Sequence, residues 1–187
     1  MLLTLGLVTV VSAFALGYVY EWTKEPINAA RIAKQIKAID AVLGAYDNDP
    51  LSDGFSAVGL VGNDSITFYP ASKDTLEVGM AVKSYSTKGY SGKIWLMVGF
   101  ERDGSIQNVE VLEHKETPGL GSKMAKPDFK DQYKGIHPGS FDLRVTKDGG
   151  KIDAISGATI SSRAFSEAVQ LAFDRYNQLN DEEGINE

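Results

Sequence analysis

At 187 residues the chain has room for one globular domain of ordinary size plus an appendage, and a formal net charge of −6 with no basic stripe argues against a nucleic-acid partner. The absence of cysteine excludes disulfides, Cys-ligated zinc and Cys-ligated iron–sulfur clusters within the chain. His114 and His137 are too few for an imidazole metal site unless carboxylates complete it, and neither has a Ser or Cys elbow nearby. Any redox chemistry here therefore needs a bound cofactor.

Residues 1–20 carry no charged side chain. As a helix with a rise of ~1.5 Å per residue they reach about 30 Å, the thickness of a bilayer's hydrocarbon core. Tyr18, Tyr20 and Trp22 at its end suit an interfacial aromatic belt, and with no basic n-region or clear cleavage site the segment reads as an uncleaved anchor, not a signal peptide. Thr9, Ala13 and Gly17 recur every fourth residue, a ridge on which another membrane helix could pack, or chance. Lys24, Arg31, Lys34 and Lys37 come after the span, which by the positive-inside rule places the rest of the chain in the cytoplasm. From Glu25 to Ala45 the spacing of Ile32, Ile36, Ile39 and Leu43 predicts a second, amphipathic helix with Pro26 in its first turn, ending at Gly44 before a turn-rich linker, Tyr46–Pro50.

Strands come next. Ala57–Val61 and Ile66–Tyr69 flank a turn at Gly62-Asn63-Asp64, Ala81–Tyr85 is the third, and a turn spans Lys88–Gly92. Lys93–Phe100 is apolar on both faces and should be a central strand covered on both sides. Asp103-Gly104 turns it into an antiparallel partner, Ile106–Leu112. Beyond the loop 113–122, Pro127–Tyr133 reads as a short helix, Phe141–Thr146 as a strand and Asp148-Gly149-Gly150 as a turn. Phe165, Ala168, Val169, Ala172, Tyr176 and Leu179 then recur at helical spacing, and the polar, acidic tail is expected to be disordered.

Two stretches invite a functional reading. Asp153-Ala154-Ile155-Ser156-Gly157-Ala158-Thr159 opens the last helix, where unpaired amides and the helix dipole favour a phosphate and Gly157 and Ala158 leave room for a ligand; Ser156 or Thr159 could equally be a simple N-cap. Glu116-Thr117-Pro118-Gly119-Leu120-Gly121 has the irregular backbone of a close-approach loop, or of an ordinary sheet-edge loop.

Together these stretches resemble the two signatures of the covalent-FMN subunits of two respiratory complexes: the G subunit of the Rnf electron-transport complex, an ion-translocating ferredoxin:NAD+ oxidoreductase, and the C subunit of the sodium-translocating NADH:quinone reductase. The membrane-proximal Val19–Thr23 and the Gly89-Tyr90-Ser91-Gly92 turn before Val98-Gly99 are also similar to that family. The resemblance implies FMN joined through a phosphoester to the Thr159 hydroxyl, with Asp153, Ser156, Gly157 and Ala158 around the attachment point. Glu116, Thr117, Gly119 and Leu120 would line the flavin site, Leu120 on a ring face and Thr117 at the polar rim. Lys151 and Arg163 are the cations nearest to Thr159 in sequence.

No residue is expected to be catalytic or to bind metal. A Thr hydroxyl with no adjacent base is a poor nucleophile, so the resemblance implies attachment by a magnesium-dependent flavin transferase using FAD. It also implies an electron-relay subunit in a bacterial cytoplasmic membrane, single-pass, working beside other subunits, with its domain outside the cytoplasm, against the charge rule. The fold expected is α+β: a transmembrane anchor (1–22), an amphipathic helix and linker (23–50), an FMN-binding domain of antiparallel-rich sheet packed with helices (51–180) and a tail (181–187). The short chain favours the Rnf subunit over its longer sodium-pump counterpart. A pilin-like protein shares the helix-then-sheet outline, but position 5 is Leu5 where such assemblies use an acidic residue. In a membrane-anchored binding module without covalent flavin, Thr159 would be only a cap.

Overall fold

A computed structural model describes residues 1–58, 65–74 and 76–184. The chain divides into two units, 1–36 and 37–187. The first unit is helical from Leu2 on, and its large apolar side chains, among them Leu5, Phe14 and Leu16, are exposed. It belongs to α1, Leu2–Val42, the one helix among the described residues long and apolar enough to cross a membrane. Where two helices were expected there is one, because Pro26 lies within it. A proline forfeits one backbone bond and can kink a helix, but the good helix formers on either side, such as Ala29 and Ala30, carry the helix through. Ile32 and Ile36 of the expected apolar stripe are exposed, while Ile39 and Leu43 are buried.

In the second unit a five-stranded antiparallel meander runs in chain order: β1 (Phe55–Val58), β2 (Ser65–Lys73), β3 (Leu76–Gly89), β4 (Gly92–Phe100) and β5 (Ile106–Glu113). The expected turn at Gly62-Asn63-Asp64 lies outside the described residues. Short connections make the meander possible: Gly89 pairs with Gly92 across the β3–β4 hairpin, and Gly104 N–H donates to Glu101 O at 2.9 Å between β4 and β5.

β4 is covered on both faces, as its composition required. Ile94, Leu96, Val98 and Phe100 point into one core, and Met97 into a second with Ala38, Ile39, Val42 and Leu43 at the end of α1. Polar side chains of β5 satisfy that helix end: Asn108 donates to Ala41 O at 2.7 Å and Gln107 accepts from Gly44 N–H at 3.1 Å. Pro70, in β2, lies beyond the β1 pairing, where its missing N–H breaks no ladder. Asn48 instead donates to its carbonyl at 2.9 Å.

The larger core lies between the sheet and α3 (Thr159–Gly184), whose buried stripe is Phe165, Ala168, Val169, Ala172 and Tyr176. The helix runs past residue 181, where the tail was expected to begin; residues 185–187 lie outside the described set. Pro127–Tyr133 is a short helix, α2 (Pro127–Lys130), continued by a 3-10 turn. Its Phe129 and Tyr133 rings meet Phe165 with centroids 5.2 and 5.0 Å apart, and the Tyr133 hydroxyl bonds Ser166 Oγ at 2.8 Å. The buried Lys130 pairs with Glu110 of β5.

The strand expected at Phe141–Thr146 is absent. Asp142 accepts from the Arg144 amide at 3.0 Å and so bends the chain, and a 3-10 turn (Thr146–Asp148) comes directly after. The segment's backbone groups pair locally, Lys151 N–H to Asp142 O and Thr146 N–H to Ile152 O, leaving one parallel bridge, Val145–Ile152.

Phe165 is fully buried within the aromatic cluster that joins α2 to α3. Phe165→Ala should cost about 3–5 kcal/mol of stability, read as a lower denaturation midpoint; a loss under about 1 kcal/mol would show that the cluster does not fasten α3.

Candidate functional site

Four separate segments converge at the start of α3. The chain enters it through a turn closed by Ala158 N–H to Ile155 O at 2.9 Å, with Gly157 at its third position and a φ of +76°. That conformation suits glycine, and a β-carbon there would lie 3.4 Å from the Leu120 side chain. Neither Ser156 nor Thr159 is the N-cap. The Ala158 carbonyl accepts the first helical bond, from Ser162 N–H at 3.0 Å, while Ser162 Oγ reaches back to the Ile155 amide at 2.9 Å. The amides of Thr159, Ile160 and Ser161 consequently have no partner among the described residues. Ser156 and Gly157 are exposed and Thr159 partly so.

The loop signature packs against this turn. Pro118-Gly119 forms a turn with Leu120 N–H on Thr117 O at 3.2 Å and a Gly119 φ of +77°, the pattern of a type II turn with Pro second and Gly third. Thr117, Gly119 and Leu120 are exposed; Glu116 is buried, at 4%. Its carboxylate accepts from the Ser91 amide of the β3–β4 turn at 2.9 Å and from Ser161 Oγ, two residues after Thr159, at 2.5 Å. A β-carbon on Gly121 would stand 2.5 Å from Ser161 Oγ and 2.7 Å from Glu116 Oε2, so the last residue of the loop signature must be glycine for this contact to close.

Sequence reasoning grouped Glu116 with the ligand-facing residues. Both of its oxygens are instead turned inward, holding the loop, the hairpin and the helix together. Asp153 is held through its main chain, which exchanges bonds with the Gln132 side chain at 2.8 and 3.2 Å.

The cations are arranged differently from the sequence order. Arg163 forks onto Asp148 at 2.6 and 2.7 Å, and Lys151 lies 5.0 Å from the centroid of the Phe141 ring. Lys147, which sequence reasoning missed, donates to Thr159 Oγ1 at 3.2 Å. Only its place beside the expected Asp148-Gly149-Gly150 turn could have signalled it. The Arg163 guanidinium holds the Asp148 carboxyl below its ordinary value. A carboxyl depressed on folding adds stability above its unfolded value, so this pair is intact at neutral pH and is lost only as the pH falls through the depressed value.

A groove of about 1040 Å³ opens beside the turn, lined by Tyr85, Phe141, Leu143, Ile160, Arg163 and Leu171 among others. Thr159 and Leu120 are not among its walls, but Ile160, the neighbour of Thr159, is. Among the described residues no cluster of His, Asp or Glu could hold a metal ion.

A family model described as the FMN-binding domain matches residues 89–174, which include both signatures. The chain is 33% identical over 175 residues to the G subunit of the ion-translocating oxidoreductase complex of Methanosarcina acetivorans, covering 92% of this chain and 91% of that relative. It is 36% identical over 183 residues to the corresponding G subunit of Stutzerimonas stutzeri, covering 92% and 78%. Among solved structures, NqrC of Shewanella oneidensis is 27% identical with a TM-score of 0.47, over 63% of this chain and 61% of that one.

Glu116→Ala strands the buried Ser161 hydroxyl and removes the acceptor of the part-buried Ser91 amide, and should cost about 1–3 kcal/mol, whereas Glu116→Gln, which can bond both, should restore most of it. Equal melting temperatures for the Ala variant and the wild type would show that the carboxylate fastens nothing.

Proposed function

Because the chain belongs to the family of G subunits of ion-translocating oxidoreductase complexes, we propose that it carries FMN as a phosphoester on Thr159 Oγ1 and relays electrons within such a complex. The chain is a flavin-binding, electron-transport subunit of an ion-translocating oxidoreductase. The observation that carries the attachment is the setting of Thr159: a partly exposed hydroxyl at a helix N-terminus, below an open glycine turn, with three amides that have no partner among the described residues and a lysine ammonium beside it.

The residues present fit the group. A phosphate monoanion suits the amides of residues 159–161 and the Lys147 ammonium, and nothing lies within 4 Å of a β-carbon at Gly119, so the loop side is open to a ligand. Leu120 and Ile160, 45% and 46% exposed, offer apolar surface to a planar ring, and the exposed Thr117 offers a hydroxyl to its polar rim. Bound FMN supplies the redox chemistry, since the chain's own side chains do not.

Thr159 acts as a tether. Among the described residues its hydroxyl has one hydrogen-bond partner, Lys147, an ammonium that cannot take its proton. Attachment therefore falls to a magnesium-dependent flavin transferase that moves the FMN moiety of FAD onto the hydroxyl.

The chain is membrane-anchored through α1 and works beside the other subunits of its complex. Its domain is proposed to stand on the extracytoplasmic side. One spanning helix cannot form an ion pathway, so translocation belongs to the neighbouring subunits.

Co-expressed with a flavin transferase, the wild type should give a fluorescent band in a denaturing gel and Thr159→Ala should give none; equal bands would refute the attachment point. In intact spheroplasts, added protease should digest the domain, and protection until lysis would place it inside.

A further inference from the structure

Three cations come from the segments that flank Thr159, and two are engaged elsewhere: Arg163 with Asp148, and Lys151 with the Phe141 ring. Lys147 meets no carboxylate among the described residues and donates only to Thr159 Oγ1, at 3.2 Å. Its backbone position is fixed. Lys147 is the middle residue of the 3-10 turn Thr146–Asp148, in which Asp148 N–H donates to Val145 O at 2.8 Å and Thr146 N–H to Ile152 O at 2.8 Å. The forked bond from Arg163, one helical turn beyond Thr159, then ties that turn to α3.

We propose that Lys147 is a catalytic residue for flavin attachment, its ammonium binding the phosphoryl group that Thr159 Oγ1 attacks. This rests on the attachment reading given above. In the step, Thr159 Oγ1 forms a bond to the flavin-side phosphorus of FAD, and the P–O bond to the adenylate-side phosphate breaks. AMP leaves with the electron pair, the threonine proton passes to a base of the transferase, and nothing is oxidised or reduced.

A hydroxyl is a weak acceptor for an ammonium, whereas a phosphoryl oxygen gives a shorter, charge-assisted bond. As the phosphate arrives, Lys147 exchanges the first for the second, which frees the Oγ1 lone pair and neutralises charge on the oxygens that do not react. Arg163 cannot do this without abandoning Asp148. After transfer the same ammonium remains as counter-ion to the ester.

The test uses the full-length protein in detergent, made without transferase, then incubated with FAD, magnesium and purified flavin transferase. Incorporation is timed by in-gel fluorescence, and the adduct is mapped by mass spectrometry. Lys147→Met should slow labelling of Thr159 by about 100-fold or more, the usual scale for one lost transition-state donor being about 100- to 1,000-fold, while Lys147→Arg should stay close to the wild-type rate. Because Lys147 is exposed, both variants should melt with the wild type. A Met variant labelled at the wild-type rate, or an Arg variant as slow as the Met variant, would overturn the role of Lys147 and leave the attachment point standing. An unlabelled wild type, or an adduct mapped away from Thr159, would overturn the attachment reading and this role with it.

Discussion

The arrangement at the start of α3 depends on one buried carboxylate. Glu116 lies between the β3–β4 turn, the Pro118-Gly119 loop and the first turn of α3, and it accepts one bond from the Ser91 amide and one from the Ser161 hydroxyl. Burying a carboxylate is costly unless its oxygens are occupied, and here both are. The cost brings directional information. An apolar side chain could fill the space, but it would not fix which amide and which hydroxyl stand on either side of it. Gly121 answers to the same contact, since any side chain there would push Ser161 away from the carboxylate. The exposed face of the site can be open because its support is rigid. Behind Thr159 the helix is fastened by Phe165 among Phe129 and Tyr133, by Ser84 Oγ on Ala168 O at 2.8 Å and by Ser86 Oγ on Glu167 at 2.7 Å. Those bonds come from β3 and the α2 segment, so the first turn of α3 is positioned from two directions before any ligand arrives. Leaving three amides without a partner among the described residues at a helix end forgoes the stability that a capping side chain normally adds. Ala158 at the cap position is a poor choice for stability and a good one for access.

Much of the fold could be read from spacing. β4 and α3 were legible because burial on two faces or along one stripe leaves a periodic mark, and the Gly89–Gly92 and Asp103-Gly104 turns because glycine and aspartate have local reasons to be there. The sequence of α1 reads as two helices because an uncharged stretch gives way to an amphipathic one near Pro26, and only the residues around that proline decide whether one helix runs through. Phe141–Thr146 alternates like a strand, yet Asp142 offers the backbone a nearer partner, which an alternation rule does not weigh.

At the site the limits were of a different kind. That Leu120 stands against Gly157 reflects two motifs falling in one place. Spacing cannot say that Glu116 faces inward, because a carboxylate in a loop has the same signature whether it meets a ligand or two neighbouring donors. Lys147 was invisible because its contact with Thr159 crosses twelve residues and depends on a 3-10 turn that falls between the expected strand and the expected turn.

The proposed ester explains why a site so exposed could still keep its cofactor. A flavin held by equilibrium binding needs a pocket that buries most of its surface, because affinity has to be gathered from contacts made at once. Leu120 and Thr117 form no such enclosure, and Ile160, although it lines the groove beside them, is itself exposed. With the phosphate bonded to Thr159, the ring's local concentration no longer depends on those contacts, which are then free to orient it and to leave an edge uncovered. An uncovered edge is what a relay between protein subunits requires, since a carrier enclosed within one chain is kept at a distance from the next. Anchoring the chain through α1 extends the same logic from cofactor to protein, because under the proposed ester both would be confined near their partners without relying on a tight interface.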